Sequence, residues 1–73
     1  MTQKVFAKSD SFSQARIKRG FTVNSLGDSL KVDPATLSRI ENGKQSTSPV
    51  MAKRICRALG TDDFDQLFKI VSS

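Results

Sequence analysis

Histidine is absent from this 73-residue chain, and cysteine occurs once, as Cys56. Without an imidazole there is no histidine base or metal ligand, and a lone thiol closes no internal disulfide. Cys56 falls at an apolar helix position, so it reads as packing rather than as a nucleophile. Acidic residues are few, and three of the seven, Asp62, Asp63 and Asp65, crowd near the C-terminus. No acid/base pair or activated nucleophile emerges, which argues against an enzyme and against any cofactor or metal. Long apolar runs are missing as well. The apolar stretches are only a few residues long, where about 20 are needed to span a bilayer, and the N-terminus has no signal-peptide apolar region. The expectation is a cytoplasmic, reducing setting with no membrane partner. Length is itself scarce: 73 residues hold one domain with a thin stability margin, which association with a second copy would improve.

Positive charge is what the chain has in excess. Twelve Lys and Arg stand against seven Asp and Glu, for a formal net charge of +5 and a sequence pI near 9.9. Residues 1–60 carry eleven basic and four acidic side chains, while residues 61–73 carry one basic and three acidic. Such a field favours polyanionic partners.

Helical periodicity organises most of the sequence. Residues 1–9 read as an extended arm, with Val5 and Phe6 as its sizeable apolar side chains after Met1. Asp10 or Ser11 can cap a first helix in which Phe12, Ala15, Arg16 and Arg19 recur at helical spacing, and Gly20 suits its C-terminus. Thr22 can cap a second helix striped by Leu26 and Leu30. Asp33-Pro34 is a start signal, an N-cap followed by proline at the first helical position, and the third helix turns Leu37 and Ile40 inward before Asn42-Gly43 ends it. Ser48-Pro49 repeats the signal for a fourth helix with Val50, Met51, Ile55, Ala58 and Leu59 on its apolar face, closed by Gly60. Thr61 with Asp62 and Asp63 opens a fifth, whose apolar residues are Phe64, Leu67, Phe68 and Val71. The expected fold is all-α, with five helices in one domain over 10–71 and the arm over 1–9.

Only Lys31, Val32 and Asp33 separate the second helix from Pro34. Helices joined this tightly cross steeply, so that one can lie across a DNA backbone while the other points its leading turn into a major groove.

At this point the sequence resembles a known family, the Cro and repressor (XRE-like) helix-turn-helix proteins of phages, plasmids and bacterial regulators. Ala15-Arg16-Ile17-Lys18-Arg19-Gly20-Phe21-Thr22 is similar to the family's first-helix signature. Val32 through Lys44 resembles its recognition helix and following turn, and Arg54-Ile55-Cys56-Arg57-Ala58-Leu59-Gly60 with Leu67-Phe68 its fourth and fifth helices. The helix-turn-helix would span residues 22–42. The resemblance implies a sequence-specific regulator of double-stranded DNA, by default a repressor that occludes its operator, with no small-molecule effector. By the same resemblance Pro34, Ala35, Thr36, Ser38 and Arg39 face bases, with Arg39 suited to guanine. Asn42, Lys44 and the amides near Thr22 face phosphates. Arg16 and Glu41 match a structural ion pair. Three positions depart from the pattern: Val23 stands where a phosphate-binding glutamine is usual, Gly27 where alanine is usual, and Lys31, which could itself reach a phosphate, where the turn glycine is usual.

A domain this small presents one recognition helix, so a homodimer on paired half-sites is expected. Its interface is expected at the C-terminus, through Ile70 and Val71 with Phe68 beside them, although Phe68 equally suits the core. The arm could meet a partner arm or the DNA. A protein-binding antirepressor or adaptor that keeps the fold without touching DNA is the other functional class open to this sequence.

Overall fold

The computed structural model describes residues 3–72. In chain order the elements are β1 (Gln3–Ala7), α1 (Ser9–Lys18), α2 (Val23–Leu30), α3 (Pro34–Glu41), α4 (Pro49–Ala58), α5 (Phe64–Leu67) and β2 (Phe68–Ser72). Five helices are present, yet the domain is not all-α. The arm folds as a strand, and it pairs antiparallel with a strand at the other end of the chain, Val5 opposite Ile70 and Ala7 opposite Phe68. The first two residues of the expected arm lie outside the described residues.

Alternation explains β1. Val5 and Ala7 are buried while Lys4 is exposed, so one face of a short strand closes the core. Its second edge is also occupied, because the Thr47 amide donates to the Val5 carbonyl at 2.8 Å. The ladder then continues into α1: the Lys8 amide donates to the Leu67 carbonyl at 2.7 Å, and Phe12 closes the first helical turn on the Lys8 carbonyl. Lys8 therefore takes the cap position expected for Asp10 or Ser11, without a side-chain cap, because the strand delivers the chain there already aligned.

The fifth helix is one turn long. Asp63, not Thr61, caps it by accepting from the Gln66 amide, and Phe68 leaves the helix in an extended conformation. Phe64, Leu67, Phe68 and Val71 fit helical spacing, but the β-branched Ile70 and Val71 suit a strand once β1 supplies a partner. Phe68 is 1% exposed, edge-on to Phe12 at 6.0 Å between ring centroids and stacked on Phe64 at 5.4 Å, so this side chain leaves no surface for a second subunit. Around it Phe12, Leu26, Leu37, Ala52 and Ile55 are fully buried. Burying each large apolar side chain is worth about 1.5–3 kcal/mol, enough to hold short helices that are marginal alone.

The corner between α2 and α3 is drawn tight at Gly27. A Cβ there would lie 2.8 Å from the Val32 carbonyl oxygen, whereas the existing backbone lets the Val32 amide donate to the Gly27 carbonyl. Alanine, the usual family residue, therefore has no room here. Lys31 meanwhile adopts the left-handed conformation, with φ 58° and ψ 45°, in which glycine is at ease and a lysine is strained. Lys31→Gly should raise stability by about 0.5–1 kcal/mol, the relief of strain exceeding the extra entropy lost on folding. Urea unfolding of the two proteins checks this, and equal midpoints would show the strain to be no larger than the entropy that glycine loses on folding.

Candidate nucleic-acid interface

Helix α3 is fixed by its own ends. Asp33 accepts a hydrogen bond from the Ala35 amide at 2.9 Å and Pro34 occupies the first turn. At the far end Gly43, at φ 72°, lets the Lys44 amide return to the Arg39 carbonyl at 2.9 Å. Leu37 and Ile40 face the core, which leaves Ala35 and Arg39 exposed and Pro34, Thr36 and Ser38 half-exposed. All five residues expected to face bases thus lie on the outward side of one eight-residue helix.

The guanidinium of Arg39 is braced. Its Nε donates to Gln45 Oε1 at 3.1 Å and its Nη2 to Thr36 Oγ1 at 3.3 Å, leaving both Nη1 protons and one Nη2 proton without a partner among the described residues. Gln45 escaped the sequence reading because it lies beyond the turn in a polar loop, with no periodic relation to Arg39.

Arg16 holds the two ends of the corner together. Its Nε donates to Glu41 Oε1 at 2.7 Å and its Nη1 to the Phe21 carbonyl at 2.9 Å. One side chain of α1 therefore joins the last residue of α3 to the residue just before the cap of α2. Glu41 is nearly buried and also accepts from Ser13 Oγ at 2.9 Å, a partner the sequence did not reveal. Through this clamp Thr22 and Asn42, which adjoin Phe21 and Glu41, are fixed relative to one another. Both are exposed, as is Lys44.

At Thr22 the start of α2 carries a reciprocal cap: the Ser25 amide donates to Thr22 Oγ1 at 3.0 Å, and the Thr22 amide to Ser25 Oγ at 2.8 Å. The amides of Val23 and Asn24 have no acceptor within the helix and point out of its positive end. The Val23 side chain packs against the core instead of replacing the usual glutamine contact. Lys31 is exposed at the opposite end of α2, away from this cluster. There Arg54 Nη2 caps the Leu30 carbonyl at 3.1 Å, tying α4 to α2.

The interface carries unneutralised positive charge. Among the described residues the one ion pair is Arg16 with Glu41, so Arg39 and Lys44 keep their full fields. Cys56 is buried in the core, and that burial pushes its thiol pKa up, keeping it protonated and chemically quiet. No helix among the described residues is long and apolar enough to cross a membrane, and no His, Cys, Asp and Glu side chains among them gather into a metal site.

Comparison with known proteins gives this geometry a context. Among solved structures the chain is similar to the clp gene regulator ClgR from C. glutamicum, at 28% identity over 80% of this chain and 74% of that one, with a TM-score of 0.71. It is also similar to a candidate DNA-binding protein from Bacteroides fragilis, at 18% identity over 89% of this chain and 98% of that one, TM-score 0.72. The transcriptional regulator VanUg is 16% identical over 100% of this chain and 92% of its own, TM-score 0.66. These last two likenesses speak for the fold alone. No curated protein matches the chain. A helix-turn-helix family model matches residues 12–65, a span that holds the α2–α3 corner, both of its caps and the Arg16 clamp. The chain belongs to the XRE-like helix-turn-helix family.

Proposed function

We propose that this protein is a transcriptional regulator that binds double-stranded DNA, reading a short sequence with the outward face of α3. The observation that carries the reading is the concentration of Pro34, Ala35, Thr36, Ser38 and Arg39 on that one face, with the Arg39 guanidinium hydrogen-bonded to Thr36 and Gln45. Arg39 supplies the bidentate donor pair that guanine O6 and N7 accept, while Ala35 and the Thr36 methyl suit a thymine methyl. Asn42, Lys44 and the amides following Thr22 bind phosphates on either side of the groove, their spacing set by Arg16. Lys31 supplies a further phosphate contact from the turn.

The regulator acts as a homodimer in the cytoplasm. One α3 reads too few base pairs for useful specificity, and two copies place their helices on half-sites about 34 Å apart. Ile70 and Val71, 58% and 39% exposed, lie on β2, whose outer edge has no strand partner among the described residues, and this edge is where the subunits meet. The simplest mode of action for so small a domain, without a small-molecule effector, is repression by occupying its operator.

Selection of bound duplexes from a random pool, followed by salt titration, tests the reading. The expected product is a pseudo-palindrome with half-sites one helical turn apart and an affinity that falls linearly with salt on logarithmic axes. A protein with no attraction for duplex DNA in dilute buffer is instead a protein-binding adaptor. A single unpaired half-site would remove the dimer while leaving the groove reading intact.

A further inference from the structure

On the outer face of the terminal sheet only Val71 belongs to the proposed subunit contact, and Lys4, Phe6 and Lys69 have no part in it. Antiparallel pairing sets Phe6 opposite Lys69 and Lys4 opposite Val71, and directly opposed residues share a face, so two lysines and two apolar side chains point away from the core together. This face runs on into the turn after α3: Phe6, Lys8, Lys69 and Asn42 line one open groove of about 500 Å³. At its floor Gly43 meets β1, where a Cβ would stand in ordinary contact with the Ala7 carbonyl oxygen at 3.7 Å. Among the described residues no carboxylate lines the groove, and neither Lys8 nor Lys69 forms an ion pair.

An apolar ring between unpaired cations matches the alternating chemistry of a sugar–phosphate strand. We propose that this groove binds the DNA backbone beyond the half-site read by α3, with Lys8 and Lys69 on phosphates and Phe6 against the intervening deoxyribose. The inference rests on the reading that α3 enters the major groove, since Asn42 and Lys44 then carry the duplex from α3 directly onto the sheet. The arm is thereby a rigid extension of the interface, fixed by its pairing with β2 and Thr47.

The test uses the full chain, the selected operator duplex with long flanks, and the same operator trimmed to the half-sites. Lys8→Ala with Lys69→Ala should make the fall of log affinity with log salt shallower by about 1.8 per subunit, two phosphates at about 0.9 each, and so by about 3.6 for the dimer on the long duplex. On the trimmed duplex the variant and the parent should differ far less. The selected motif, the melting temperature and the sedimentation coefficient should stay as they were, and Lys8→Arg with Lys69→Arg should keep the original slope. An unchanged slope in the double alanine variant, with Lys44→Ala still lowering it, overturns the groove while leaving the α3 reading in place. A changed motif or a changed oligomeric state also overturns it, assigning the lysines to bases or to a second copy. A parent protein without salt-sensitive duplex binding overturns both readings together.

Discussion

Arg39→Ala should reduce the preference for the selected operator over random duplex by about 1–3 kcal/mol per half-site, roughly 5- to 150-fold for each, with salt-sensitive non-specific binding largely retained. The size follows from geometry. Thr36 and Gln45 already hold the guanidinium, so little rotamer entropy remains to be lost on binding, and Nη1 together with the remaining Nη2 proton supplies two parallel donors. Lysine at this position keeps the charge but not the fork, so Arg39→Lys should behave almost as the alanine variant does in discrimination. Gln45→Ala releases one brace while leaving the donors. It should therefore weaken operator binding by a smaller factor without changing which base is preferred. Competition binding between operator and base-substituted duplexes checks all three. Unchanged base choice in Arg39→Ala would take this residue out of the readout, whatever its position on the helix.

Much of the corner was legible in the sequence because it is written in local signals. Asp33-Pro34 and Ser48-Pro49 act within one turn of the helices they start, and Thr22 caps α2 through a neighbour three residues away. The Arg16 and Glu41 positions were reached through resemblance, and the structure places them in contact. What the sequence hid is long-range. Residues 68–72 form a strand because residues 3–7, at the opposite end of the chain, pair with them, and nothing in the local spacing distinguishes that from a longer fifth helix. Gln45 and Ser13 were hidden for the same reason: their roles depend on which side chain arrives beside them, and a polar residue in a loop or first turn carries no mark of its partner.

The largest effect on stability is expected at the clamp. Glu41→Ala should cost about 3 kcal/mol, because it strands a guanidinium whose side chain is 14% exposed and takes the acceptor from Ser13 as well. In a domain of this size each kcal/mol lowers the melting temperature by about 4–8 °C, so the variant should lose a large share of its folded range. An exposed pair would cost under about 1 kcal/mol, and a shift that small would show Arg16 finding water rather than being trapped. Replacing both partners separates packing from positioning. With Arg16→Leu and Glu41→Leu together no charge is stranded, and most of the lost stability should return. The hydrogen bond from Arg16 to the Phe21 carbonyl does not return, so the polar tie between the start of α2 and the end of α3 is lost while their apolar packing remains. DNA affinity should therefore stay below that of the parent after the fold has recovered. Thermal melting and duplex binding of the same three proteins read the two effects separately, and full recovery of both would confine Arg16 to a purely structural part.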